Sequence, residues 1–277
     1  MKKIKALAIF NAVSLLIHIS IAYFIQAKMI SNQDVGEVSA KYESLFTPAG
    51  ITFGIWGIIY ITLCVLCLYH IIIAYKHDKP HPANTDLLRI NGWFILVNLA
   101  SAAWLIAWVH EELALSVVLI FVQLLGLAII HQRLHLYDPL KPASLKLATQ
   151  FPISIYLGWI SIAAIANTSS YLSSIKWDGF GISASKWAII LISASLFLSA
   201  LMIFVRKNIH FGLVIAWGLY GIIVKRQATD TELYEPVIIT AWTAMGLILL
   251  FSVVQLIRNI SYKRPRDLFP APVTPIK

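Results

Sequence analysis

The side chains of this chain that could bind a ligand are aromatic or neutral, and they recur at helical spacing. Trp56 and Tyr60 lie four residues apart in one apolar run. In a second run, four residues follow one another at intervals of three, four and four: Tyr156, Trp159, Ala163 and Asn167. Residues three or four apart share a face of an α-helix. Because aromatic faces stack on flat apolar molecules, this pattern favours ligand binding over proton or group transfer.

Groups for acid, base, nucleophilic or metal chemistry are sparse in the apolar runs. Cys64 and Cys67 form a CxxC in apolar surroundings without a second cysteine pair, which predicts packing residues rather than a metal or redox site. His18 lies well inside a run but has no histidine at matching depth, so a two-histidine haem clamp is not favoured. The sequence therefore predicts no catalytic and no metal-binding residues, and binding is favoured over enzymatic activity.

Composition places these residues in a membrane. Hydrophobic residues make up 59% of the 277-residue chain and charged residues 13%, with a mean hydropathy of +0.78. A spanning helix needs roughly 20 apolar residues, and eight runs qualify: Ile4 to Ala27, Ile51 to Tyr75, Ile90 to Val109, Leu113 to Ile130, Leu147 to Thr168, Trp187 to Val205, Ile209 to Val224 and Pro236 to Ile257. The predicted fold is an all-α bundle of eight transmembrane helices, the sixth and seventh forming a tight hairpin.

The basic residues predict the orientation of these helices. With both termini in the cytoplasm, 16 of the 22 Lys and Arg residues fall on the inner side and nine of the 13 acidic residues on the outer side, as the positive-inside rule requires. This arrangement and the anionic inner leaflet account for the net charge of +9. We therefore expect the lipid bilayer as a partner, and no nucleic acid.

Five neutral polar residues lie inside the runs, where we favour hydrogen bonds between helices over cavity lining: Asn11, Asn98, Gln123, Gln150 and Asn167. Aromatic residues near the membrane surface form a belt in many membrane proteins, and Trp108, Trp177 and Trp187 fit that interpretation. Tyr60 and Trp159 lie several residues deeper, and an interfacial belt does not explain them.

Two segments resemble the tryptophan-rich sensory protein or translocator protein family (TspO/MBR). The stretch from Phe46-Thr47-Pro48 to Trp56-Gly57-Ile58-Ile59-Tyr60 is similar to that family's second helix, in which a proline-containing loop leads to a glycine and W-x-x-x-Y. The stretch from Tyr156 to Asn167 is similar to its fifth helix, with Y-x-x-W-x-x-x-A-x-x-x-N. In the third helix, Asn98 and Trp104 stand where the family has N-x-x-W, although their spacing differs.

The resemblance implies a ligand and a site. Members of that family bind porphyrins and haem, and in some cases sterols, in an aromatic pocket beneath the first loop. Carried over to this chain, the resemblance nominates as ligand-binding residues Trp56, Tyr60, Trp104, Tyr156, Trp159, Ala163 and Asn167. It implies no obligatory cofactor, with porphyrin or haem as the expected hydrophobic ligand. A homodimer is compatible with these expectations.

We divide the chain into three parts, the first of which is set by this resemblance. Residues 1–170 would form a TspO-like five-helix core, and residues 171–257 would add three transmembrane helices. Residues 258–277 would form a basic, proline-containing cytoplasmic tail. The expected function is that of a membrane protein similar to the tryptophan-rich sensory or translocator proteins. It would bind a flat apolar ligand in the outer half of a bacterial cytoplasmic membrane. A small-solute transporter is the alternative.

Overall fold

A computed structural model describes residues 2–77, 81–135 and 141–261. All regular structure in this part of the chain is helical, which confirms the predicted fold class. The helices are α1 (Lys2–Gln26), α2 (Val35–Lys41), α3 (Ile55–Lys76), α4 (Pro82–Ile90), α5 (Trp93–Val109), α6 (Leu113–Leu134), α7 (Ala143–Leu145), α8 (Phe151–Ser174), α9 (Ala184–Phe204), α10 (Ile209–Thr229) and α11 (Glu235–Ser261). Short 3₁₀ turns cover Gly50–Gly54 and Gly179–Gly181, and a π-helical turn at Lys146–Gln150 precedes α8.

Among the described residues, seven helical spans are long and apolar enough to cross a membrane, and a bent pair makes the count eight. The bent pair is α4 and α5, whose axes differ by 53°. The sequence predicts a span from Ile90 to Val109, which contains the bend and α5 but not α4. The straight helix instead begins at Trp93, because Asn91 adopts a left-handed φ of 48° and Gly92 follows it, a backbone conformation that interrupts an α-helix.

The helix α8 lies at the centre of the bundle. In an apolar 18-residue window of the Ala143–Ser174 span, 83% of the residues are buried, against 28% in α9. It packs against α3, α6 and α10, while α1 packs on α3 and α5 and α11 packs on α9 and α10. Gly158 allows the close approach of α10, since an added Cβ would lie 3.0 Å from Val214 Cβ. The expected hairpin of α9 and α10 is confirmed by the bond from Asn208 N to Met202 O, 2.9 Å.

Ion pairs join the connections at each end of the bundle. At one end, Lys41 lies 2.6 Å from Glu111. At the other, Lys141 lies 2.9 Å from Asp86. Each pair joins residues that the charge distribution places on the same membrane side. Which side faces the cytoplasm stays a prediction, and the tail beyond Ser261 lies outside the described residues.

Candidate functional site

The segment between α1 and α3 covers one end of the bundle, and residues 31–54 are called the lid here. Its helix α2 begins with a capping box: the Asp34 carboxylate accepts a bond from Glu37 N (2.9 Å), and the Glu37 carboxylate accepts one from Asp34 N (2.8 Å). Such reciprocal caps satisfy free backbone donors. The local sequence Asp-Val-Gly-Glu therefore fixes where this short helix starts.

One edge of the lid is held by α5 and the loop after it. Trp108 Nε1 donates to Val35 O at 3.1 Å, and the Glu111 carboxylate accepts bonds from Lys41, Tyr42 and Gln33. Hydrogen bonds from Lys41, and then from Tyr42 and Gln33, lower the pKa of Glu111 to about 2. Glu111 is therefore ionised at any physiological pH, and this attachment is held by charge-assisted hydrogen bonds.

The other edge of the lid is held by α10. The N–H of Ala49 donates to Gly221 O at 2.9 Å, and Trp217 Nε1 donates to Thr52 O at 3.0 Å. Gly221 lies so close to Thr52 and Pro48 that a Cβ would overlap both. A helix from the last third of the chain therefore positions the segment that leads into α3.

An apolar cavity lies beneath the lid. About 40 Å³ of it admits the centre of a water molecule. Its lining comes from the lid, which includes the 3₁₀ turn at Gly50–Gly54, and from α3, α5, α6, α8 and α10. The lining residues are Val35, Ser39, Phe46, Pro48, Phe53, Trp56, Trp104, Trp108, Ile120, Trp159, Ile160, Ile162, Ala163, Ala166, Asn167, Ser170, Gly218 and Ile222. The cavity is narrow, so a large ligand has to spread its walls.

Aromatic rings form the walls of this cavity. Trp159 meets Trp56 edge to face, with ring centroids 6.4 Å apart, and meets Phe53 in the same way at 6.0 Å. Trp104 and Trp108 stack on each other at 5.6 Å. Ring planes in both orientations therefore border the space beside Ala163, and offset or edge contacts with a flat ligand are the interactions they offer.

Trp159 carries an unused donor. Its side chain is 2% exposed, and its Nε1 has no hydrogen-bond partner among the described residues. A buried N–H without an acceptor costs free energy. An acceptor atom of a ligand that reached this nitrogen would remove that cost.

Asn167 lines the cavity but has its amide engaged. Its Oδ1 accepts from Trp104 Nε1 at 2.7 Å, and its Nδ2 donates to Ser116 Oγ at 2.9 Å. These bonds join α8 to α5 and α6, as the bridging interpretation predicts. The geometry therefore gives Asn167 the role of orienting the Trp104 ring.

Tyr60 and Tyr156 stand behind the cavity wall. Tyr60 stacks on Trp56 at 5.3 Å, and its hydroxyl faces His18 Nε2 at 3.4 Å. Because Asn98 Oδ1 can only accept, His18 donates to it from Nδ1 (3.3 Å) and accepts at Nε2. These contacts hold the Trp56 ring from α1 and α5.

The hydroxyl of Tyr156 lies 2.6 Å from Ser101 Oγ, which donates to Gln123 Oε1 at 2.8 Å. Tyr156 also meets Trp56 edge to face, at 5.9 Å. Five of the seven nominated residues thus line one cavity and the two tyrosines support it. Their contact with a ligand stays a prediction.

Sequence reasoning missed part of the cavity. Trp108, interpreted from the sequence as an interfacial residue, is 4% exposed and lines the cavity, because the lid covers it. Gly218 and Ile222 of α10 were missed as well. The sequence offers one weak signal: Phe211-Gly212 and Trp217-Gly218 echo Phe53-Gly54 and Trp56-Gly57, but the spacings differ and coincidence among apolar helices explains the similarity better.

Other residues weighed for chemistry lie apart from the cavity lining. Cys64 is exposed and Cys67 buried, both as free thiols. No group of three or more His, Cys, Asp or Glu side chains placed to hold a metal ion occurs within residues 2–77, 81–135 and 141–261. Asn11 and Gln150 are buried without a partner among the described residues, so the bridging predicted for them is not seen there.

Comparison with known proteins gives one match. The model of a family described as TSPO-like protein matches residues 8–254 of the chain. No curated protein and no solved structure matches. The matched region contains the lid, every residue that lines the cavity and the helices α9 and α10.

Proposed function

This chain belongs to the TSPO-like protein family, and we propose that it binds a flat apolar ligand of the tetrapyrrole class, such as porphyrin or haem, in the cavity beneath the lid. The single observation that carries this proposal is an apolar cavity walled by aromatic rings, among them Trp159, whose N–H has no acceptor among the described residues. Small-molecule sites combine mostly apolar walls with a few placed polar groups.

Each nominated residue has a role in this proposal. Trp56, Trp104 and Trp159 supply ring faces and edges, and Ala163 leaves space beside Trp159. Asn167 holds the Trp104 ring, while Tyr60 and Tyr156 hold Trp56 from behind. We expect the ligand to bind reversibly and not to be an obligatory cofactor, since these contacts are non-covalent.

Binding has to widen the cavity. A tetrapyrrole needs far more than the 40 Å³ now open to the centre of a water molecule. We expect the lid to be the wall that moves, because the hydrogen bonds and the ion pair that hold its two edges can break and re-form. We therefore expect slow association that is limited by lid opening.

The test is a titration of purified protein in nanodiscs with protoporphyrin IX, followed by tryptophan fluorescence and by porphyrin absorbance. Saturable quenching with a parallel absorbance shift at one ligand per chain is expected. In proteoliposomes, the same ligand should show binding without accumulation inside the vesicles. Non-saturable quenching equal to that of empty nanodiscs would reject the proposal, and concentrative flux would support the transporter alternative.

A further inference from the structure

Arg226 is a buried cation at the lid end of α10. Its side chain is 2% exposed, and its Nη2 donates to the carboxylate of Glu43 in the lid. The guanidinium also lies 5.2 Å from the centre of the Tyr234 ring. Arginine is almost never fully buried unless it is paired, so its position calls for a specific reason.

This ion pair is adjacent along the chain to residues that line the cavity. Arg226 follows the cavity residue Ile222 by one helical turn, on the same face of α10. Glu43 precedes the cavity residue Phe46 by three positions, and its carbonyl accepts a bond from Ser173 Oγ, one turn beyond the cavity residue Ser170. Thus α10, the lid and α8 each contribute residues to the cavity lining and, within about one helical turn, to the ion pair or its backbone contact.

The cluster has one positive charge in excess. Lys225 Nζ lies 3.2 Å from Glu43 Oε2, so two cations share one carboxylate. Burial works to raise the pKa of Glu43, but bonds from Arg226 and Lys225 outweigh it and lower that pKa. Arg226 Nε is buried and has no hydrogen-bond partner among the described residues. That nitrogen belongs to the fork that binds carboxylates in a bidentate way.

We propose that Arg226 and Lys225 form a subsite for the carboxylate of an amphipathic ligand whose apolar body occupies the cavity, with Glu43 holding this place in the free protein. The inference rests on the proposed function and adds the ligand's charged end to it. When the ligand carboxylate displaces Glu43, the lid loses its ionic contact with α10. Ligand recognition and lid release are then one event.

The experiment compares protoporphyrin IX, which carries two carboxylates, with its uncharged dimethyl ester at about pH 8, where free carboxyl groups are ionised. The readout is the ratio of the two dissociation constants, each referred to the ligand concentration in the nanodisc lipid, because the acid and the ester partition into lipid differently and the ratio then cancels general effects on folding. We expect the acid to bind the unmodified protein about tenfold more tightly than the ester, as a charge-assisted bond predicts.

Three variants test the residues. Arg226→Gln should reduce the ratio to near one through weaker binding of the acid, with ester binding unchanged. Glu43→Gln should raise the ratio about threefold or more, because the competing carboxylate is removed while both cations remain. Lys41→Gln is the matched control: it removes a positive charge from the lid, where Lys41 pairs with Glu111, and should leave the ratio unchanged.

The outcomes separate this inference from the proposed function. Binding of the ester and acid with equal affinity by the unmodified protein would overturn the carboxylate subsite and leave the apolar cavity as the binding site. Failure of both ligands to bind would overturn both proposals. If Arg226→Gln does not fold, Glu43→Gln still decides, since a ratio that does not rise shows that the ion pair only fastens the lid.

Discussion

At the residue scale, the candidate site depends on a few rings whose positions are fixed by polar partners. Trp104 is oriented by Asn167, and Trp56 is backed by Tyr60 and Tyr156. Trp159 differs, because its ring is packed while its N–H stays without a partner among the described residues. A substitution of Trp159 therefore tests contact with the ligand, because it breaks no hydrogen bond that supports the cavity wall.

Replacing Trp159 by Leu keeps the wall apolar while it removes an indole face. Affinity for protoporphyrin IX should fall by about 0.5–1.5 kcal/mol from the loss of stacking. Absorbance titration of the purified variant measures this. Trp242→Leu is the matched control, since Trp242 of α11 is 46% exposed and is not among the cavity-lining residues, and this variant should bind as the unmodified protein does. Equal affinity for both variants would leave Trp159 as a packing residue.

Ala163→Phe tests the space beside Trp159 directly. The added ring would occupy the cavity itself, so binding should fall more steeply than in Trp159→Leu, by about tenfold or more, because the site has little open volume to lose. Thermal unfolding of the apo variant checks that it folds. A folded Ala163→Phe protein with unchanged affinity would place the ligand elsewhere.

At the element scale, the lid contains one short capped helix and is held at both edges by charged contacts. Glu111 joins it to the loop between α5 and α6, and Glu43 joins it to α10. Both carboxyl groups have lowered pKa values in the folded protein. A carboxyl group with a lowered pKa stabilises the fold above its unfolded pKa, and that contribution is lost as the pH falls through the folded value.

The unfolding temperature should therefore change little between about pH 7 and pH 5 from these two groups, and it should decline below the ordinary carboxyl value of 4.5 toward the Glu111 pKa of about 2. Glu111→Gln should lower the unfolding temperature at neutral pH and weaken the acid-dependent decline. Glu112→Gln, at the exposed neighbouring carboxylate, should do neither. An acid profile identical in Glu111→Gln and the unmodified protein would contradict this account.

At the scale of the whole molecule, α10, one of the last three helices, is part of the site rather than an attachment to it. Gly218 and Ile222 line the cavity, and α10 holds the lid through Gly221 and Trp217. The family match runs from residue 8 to residue 254. The division into a five-helix core, residues 1–170, and three additional helices stays a prediction, although the cavity draws on both parts.

The orientation of the bundle is the remaining prediction at this scale. We expect both termini in the cytoplasm and the lid on the outer face, because basic residues concentrate at the opposite end. Reporter fusions after residue 277 and at Lys28, in the connection between α1 and the lid, should report opposite sides of the membrane. A cytoplasmic signal from the Lys28 fusion with an outer signal from residue 277 would invert the predicted orientation, and signals from the same side would contradict the eight-crossing topology.

The sequence by itself determined the all-α membrane fold, because spans of apolar residues can satisfy their backbone in lipid only as helices. It also determined the spacing of Trp56, Trp159 and Ala163, since helical periodicity puts residues three or four apart on one face. The bend at Asn91 escaped this reasoning, because hydropathy does not report a left-handed backbone angle.

Only the tertiary structure decided how the lid closes the cavity and which residues from distant helices complete it. Trp108 lines the cavity because the lid covers it. The Tyr156 hydroxyl contacts Ser101 inside the bundle instead of the cavity. Arg226 and Glu43 are 183 positions apart in the chain. Contacts at such separations depend on the packing of whole helices, so the periodicity within any one helix carries no information about them.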